Sequence, residues 1–206
     1  MINIWHGCYD NNNFGDHIGK YIINKLTGIQ PTFIHPAIDV SDVYVYSGSV
    51  LREAKSNWHC FGLGFGEADQ VCPVAPKKIY SVRGKYSREI LLKQGIDCPE
   101  IYTDICEYLP SFYFPKIEQK YEIGFIPHYL DYDEYMAYNG GNTTVINICD
   151  APENIIKQML RCKKIISTSL HGLILSDVYG VPNQWEKSKR EVSEFKFYDY
   201  LSKFIQ

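Results

Sequence analysis

Short apolar runs and amphipathic stretches follow one another along almost the whole chain, the pattern of parallel strands joined by crossover helices. In the first half, residues 2–6, 42–46, 58–62, 79–82 and 100–104 are brief and apolar enough to be buried strands. Between them, residues 15–26 and 85–94 carry apolar side chains at helical spacing, and Gly28 and Gly95 stand where such helices stop. In the second half, residues 121–127, 143–148 and 164–167 read as strands, and residues 171–179 as a helix closed by Gly180 and Pro182. Asp150-Ala151-Pro152-Glu153 is spelled as a capping box for a further helix ending near Arg161. The expectation is an α/β fold.

Residues 110–120 break this rhythm with prolines, aromatics and charge but no period, which makes them the expected linker between two lobes, residues 1–115 and 116–206. The amphipathic segment 195–200 is expected to be a final helix packing back toward the first lobe. A chain of 206 residues buries enough apolar surface for this without disulfides or a structural metal. With 17 Tyr, 10 Phe and 3 Trp it is rich in rings, which serve both cores and sugar-facing surfaces.

Charge removes one class of partner: 21 Lys and Arg against 24 Asp and Glu, with no basic run, cannot neutralise a nucleic-acid backbone. The seven cysteines are scattered, without metal-ligand spacing, and are expected to be reduced thiols. Neither a basic-then-apolar leader nor a run of roughly 20 apolar residues is present. The expected location is therefore the cytoplasm, with room for peripheral attachment to a membrane-bound glycan assembly line.

The richest segment for chemistry is the strand that ends in Ser167-Thr168-Ser169 and turns into the helix carrying His171 and Gly172. Unpaired N–H groups and the helix dipole make such a turn an anion site. The same dipole disfavours an imidazolium at His171, whereas a bound anion favours it, so the residue could hold a proton only with its ligand present. The plainer alternative is that Ser169 caps the helix and His171 packs in the core. Asn13-Phe14-Gly15-Asp16 follows the first strand, where α/β sheets bind ligands, although capping alone would explain Asn13 and Asp16. Arg83, at a strand end before Gly84, could grip a phosphate or carboxylate bidentately or pair with Glu89 or Glu100. His128 ends the first strand of the second half.

Taken in order, Asn13-Phe-Gly-Asp16, Gly48-Ser-Val-Leu51, Val82-Arg-Gly84, Gly124-Phe-Ile-Pro-His128, Ser169-Leu-His-Gly172, Tyr179-Gly-Val-Pro182 and Phe195-Lys-Phe-Tyr-Asp-Tyr200 resemble the polysaccharide pyruvyl transferase family, in its exopolysaccharide ketal-forming branch. The resemblance implies two Rossmann-like lobes similar to the glycosyltransferase B architecture, with a donor-binding Ser-Leu-His-Gly turn. It implies phosphoenolpyruvate as co-substrate, no other cofactor, no metal, and a sugar acceptor that could be lipid-linked. Many relatives carry Arg where this chain has Ser169, and Gly-Asp-Pro-Ala where it has Thr103-Asp104-Ile105-Cys106, and the chain is short for the family, so trimmed acceptor loops are expected.

Ketal formation needs an acid to protonate the donor's enol carbon and a clamp for its anionic groups. His171 is the candidate acid and Asp16 the candidate base or hydroxyl ligand. Arg83, His128, Ser167, Thr168, Ser169 and Gly172 are candidate donor contacts, and Asn13 and Gly15 candidate acceptor contacts. Two alternatives share the architecture: a glycosyltransferase using a nucleotide-sugar, and a glycan-binding relative without catalysis.

Overall fold

A computed structural model describes residues 2–5, 13–35, 38, 40–190 and 192–205 of the chain. It is an α/β protein with two separate parallel sheets, of five and four strands. His6, at the end of the expected first strand, and Cys8, one of the seven cysteines, lie outside the described set. Contacts divide the chain into two compact units, one of residues 1–9, 15–105 and 193–206 and one of residues 10–14 and 106–192.

The first unit begins with β1 (Asn3–Ile4), followed by α1 (Phe14–Thr27), β2 (Thr32–Phe33), β3 (Val43–Val45), β4 (Trp58–Cys60), β5 (Lys78–Ile79) and α2 (Lys85–Lys93). Its sheet has the order β2-β1-β3-β4-β5, every pair parallel. Alternation along the strands sends Val43, Val45, Trp58 and Cys60 into a core shared with Leu51, Leu63, Phe65 and Leu91. The opposite face carries a ladder of half-buried rings, Tyr44, Tyr46, His59, Phe61 and Tyr80, the closest pair 4.3 Å apart between centroids. Much of the aromatic content is thus sheet packing.

The second unit contains α3 (Leu109–Phe112), β6 (Tyr121–Ile126), α4 (Tyr132–Tyr135), β7 (Thr143–Val145), α5 (Pro152–Leu160), β8 (Cys162–Ser167), α6 (Leu170–Val178) and β9 (Asn183–Trp185). Its sheet has the order β7-β6-β8-β9, again wholly parallel. Helix α6 buries residues on every side, Leu170, Leu173, Ile174, Leu175 and Ser176 among them, as a central helix does. The last helix, α7 (Phe195–Ser202), belongs to the first unit and packs on α2.

Three expectations change. Residues 100–104 make a single bridge, Val82 to Tyr102, instead of a strand, because Ile101 is left half exposed with no apolar face to bury. The capping box does not form: Ala151 is the N-cap of α5, and Asp150 Oδ1 accepts instead from Ala151 N at 2.6 Å. The expected linker begins inside α3 rather than in a wholly irregular stretch. The helix stops hold, with Gly28, Gly95 and Gly180 at φ 69°, 74° and 69°.

Candidate functional site

Each sheet has a point where successive connections leave in opposite directions, and ligands of parallel sheets bind beyond the strand ends at such points. In the first sheet the point lies between β1 and β3, and in the second between β6 and β8. The segments singled out from the sequence sit at these two edges.

At the first edge, α1 starts at Phe14 and brings Asp16 into its first turn. Asp16 lines a small cavity with Ile4, Trp5, Gly19, Lys20, Tyr46 and Ser47. The Ser47-Gly48-Ser49 turn after β3 passes beside it, and a methyl group on Gly48 would come 3.9 Å from Asp16 Oδ1. Gly15 is buried, while Asn13 is half-buried and belongs to the second unit.

Arg83 does hold an anion, and that anion is the protein's own. Its Nε and Nη2 each lie 3.0 Å from Asp199 Oδ2, Nη1 donates to Ser49 Oγ at 2.8 Å, and Nη2 to the Phe65 carbonyl at 2.6 Å. Arg83 is 3% exposed and Asp199 0%, so this is a buried ion pair, and neither Glu89 nor Glu100 is the partner. Asp199 also receives Ser87 N at 2.8 Å and Ser87 Oγ at 2.6 Å, while Ser202 Oγ receives Lys85 N at 2.8 Å. Those are N–H groups of the first turn of α2, whose N-cap is Gly84 and has no side chain to offer them. Helix α7 caps α2. Glycine is required on both sides of the contact, since a methyl on Gly84 would strike the Asp199 carbonyl and one on Gly64 the Arg83 guanidinium.

At the second edge, Ser167, Thr168 and Ser169 are buried and their turn is internally bonded. Ser167 Oγ lies 2.6 Å from the Ile126 carbonyl and accepts from Ser169 N at 3.0 Å. Thr168 Oγ1 accepts from His128 N at 2.7 Å and donates to Asp131 Oδ2 at 3.0 Å. The hydroxyls therefore shape the turn. Ser169 is the N-cap of α6 with extended backbone but no side-chain cap bond. His171 is half-buried in the first turn, 6.2 Å from the ring of Phe14 between centroids. Gly172 lets α6 approach the sheet, because a methyl there would collide with Ser167 Oγ and Ile126.

Asp131 is the residue that sequence reasoning passed over. It is 1% exposed, its Oδ1 accepts no hydrogen bond, and the Arg190 guanidinium stands 3.7 Å from that oxygen while bonding Glu134 at 3.0 Å. A carboxylate three residues past a strand-end histidine was the available signal.

No disulfide joins any of the six described cysteines, and burial pushes the thiols of Cys60, Cys72, Cys98 and Cys162 up, Cys98 to about 11 and Cys162 to about 12. No helix among the described residues is long and apolar enough to cross a membrane.

Two parallel sheets, each with polar side chains near its switch point, define an α/β protein. The family description polysaccharide pyruvyl transferase matches residues 4–183, and the chain belongs to that family. An uncharacterized protein of Acanthamoeba polyphaga mimivirus is 30% identical over 210 residues, covering 93% of this chain and 71% of its own length. No solved structure matches the chain.

Proposed function

We propose that the chain transfers the pyruvyl group of phosphoenolpyruvate onto two hydroxyls of a sugar, in a polysaccharide or its lipid-linked precursor, as a ketal. The observation that carries this reading is the family match across residues 4–183 together with His171 at the N-terminal turn of α6, beyond β8. The backbone N–H groups of that turn bind the donor's charged end, and His128, held through Thr168, flanks it. Arg83, whose guanidinium is committed to Asp199, fixes the first sheet's edge instead of touching the donor. The two units serve as Rossmann-like lobes of the glycosyltransferase B type.

In the reaction His171 protonates the donor's methylene carbon, and the cation at the adjacent carbon is captured by two hydroxyl oxygens. The C=C π bond, two O–H bonds and the bond from carbon to the phosphate oxygen break; one C–H, two C–O and one phosphate O–H bond form. One hydroxyl proton ends in the new methyl group, by way of His171, and the other leaves with phosphate. No redox partner is needed.

Incubation with phosphoenolpyruvate and a panel of lipid-linked or nucleotide-linked sugars tests this. Release of phosphate with a new ketal methyl resonance is the expected result. Thermal stabilisation by a nucleotide-sugar, with no phosphate released from phosphoenolpyruvate, would turn the assignment to a glycosyltransferase.

A further inference from the structure

Asp131 stands at the N-cap of α4, where a carboxylate ordinarily accepts from the N–H groups of the first turn. Here it makes no such cap bond. Its side chain turns inward to 1% exposure, which is costly for a charge unless polar partners compensate it. Two partners do. Oδ2 accepts the Thr168 hydroxyl at 3.0 Å, and the Arg190 guanidinium, from the segment after β9, stands 3.7 Å from Oδ1. Arg190 is half exposed and donates to Glu134 at 3.0 Å, so it neutralises Asp131 without bonding it.

A hydroxyl has one proton to give. An ionised carboxylate has none, so the Thr168 O–H points at Asp131 and its lone pairs are left to accept the His128 N–H at 2.7 Å. His128 and Asp131 are also the two ends of one turn, with Asp131 N donating to the His128 carbonyl at 2.8 Å. The turn after β6 is thus tied at both ends to a single residue of the turn after β8. These turns stand side by side at the switch point of the second sheet, where Ile126 pairs with Ser167. Asp131 sets the direction of the bonds that join them.

We propose that Asp131 is a positioning residue for pyruvyl transfer: acting through Thr168, it holds His128 beside the opening of α6, so that the donor's anionic end meets both together. This rests on the pyruvyl-transfer reading. His128 and the α6 turn grip the donor equally before and during reaction, so losing their alignment raises KM and leaves kcat, which belongs to His171, in place.

Asp131→Ala and Thr168→Val delete the link, whereas Asp131→Asn and Thr168→Ser keep an acceptor and a hydroxyl; Thr168→Val, close in shape to the parent, carries the test where Asp131→Ala does not fold. Each deletion raises KM for phosphoenolpyruvate about 10-fold, with kcat within about 2-fold of the parent. Thr168→Ser restores the parent's KM, and Asp131→Asn falls between the parent and Asp131→Ala. With His128 already replaced by Ala, either deletion moves KM by less than about 2-fold, because the residue it acts through is gone. Exchange of the His128 amide, followed by NMR, quickens about 10-fold in the deletions while its neighbours in β6 keep their rates. An unmoved KM, a loss confined to kcat, or the same rise in KM with and without His128 would each overturn the proposal. Turnover by the parent with His128 exchange and KM unmoved in the deletions removes Asp131 and keeps the transferase. Quickened His128 exchange in a protein that releases no phosphate from phosphoenolpyruvate does the reverse: it keeps the link from Asp131 to His128 and removes the transferase.

Discussion

An acid-donating histidine and a packing histidine differ in what their replacement costs. Because His171 is only half-buried and Gly172 makes the close contact with the sheet, His171→Gln should keep the fold and melt within a few degrees of the parent. Pyruvyl transfer should fall by about 10²–10⁴ while phosphoenolpyruvate still binds the backbone N–H groups. Unfolding of the variant would make His171 a core residue, and near-normal turnover would pass the acid role to another group. Lys196 gives a second test, of opposite sign. Burial holds its folded pKa, about 8, below the ordinary lysine value of 10.5, so between those limits the unfolded chain binds more protons and stability gains with rising pH. Lys196→Met should therefore be more stable than the parent at pH 7, by up to about 3 kcal/mol, and the advantage should shrink toward pH 10.5. Chemical denaturation at pH 7, 9 and 10 measures it. At this scale the turn that holds Thr168 and His171 was legible because a strand running into hydroxyls and a helix is a local pattern. Asp131 was not, since its burial against Thr168 and beside Arg190 exists only after folding.

Helix ends show the same division. The N-terminus of α2 carries Gly84 where a capping side chain is usual, and its N–H groups are satisfied by Asp199 and Ser202, more than a hundred residues later. No local rule could have supplied that cap. Sequence did locate α1, α2, α6 and α7 to within a residue or two, because each has an apolar stripe and most have a glycine stop. It missed β2 and β9, which are short edge strands without alternation to betray them. The cap and ion pair yield a prediction: Arg83→Ala or Asp199→Ala alone should cost about 3–5 kcal/mol, since each strands a buried charge. Arg83→Ala combined with Asp199→Ala should cost less than the sum, as read from a double-mutant cycle in denaturant. Additive losses would mean that the two residues act independently.

For the molecule as a whole, two parallel sheets follow from alternating strand and helix patterns, whereas membership of each unit does not, because it depends on contacts made at long range. The first unit takes residues from both sides of the second in sequence. A chain shortened to residue 192 would keep both sheets' strands yet leave Arg83 buried without its carboxylate and α2 uncapped. It should lose most of the first unit's protection against amide exchange, while residues 121–178 keep theirs; equal protection in both chains would count against α7 as a structural part. The same discontinuity bears on synthesis. Domains generally fold in the order they leave the ribosome, but here the segment of residues 106–192 can close into its sheet before the unit that precedes it has received its last helix. Until Asp199 emerges, the nascent first unit carries an unmatched guanidinium at Arg83, so it is the earlier-made half that waits and is exposed to chaperones and proteases the longer.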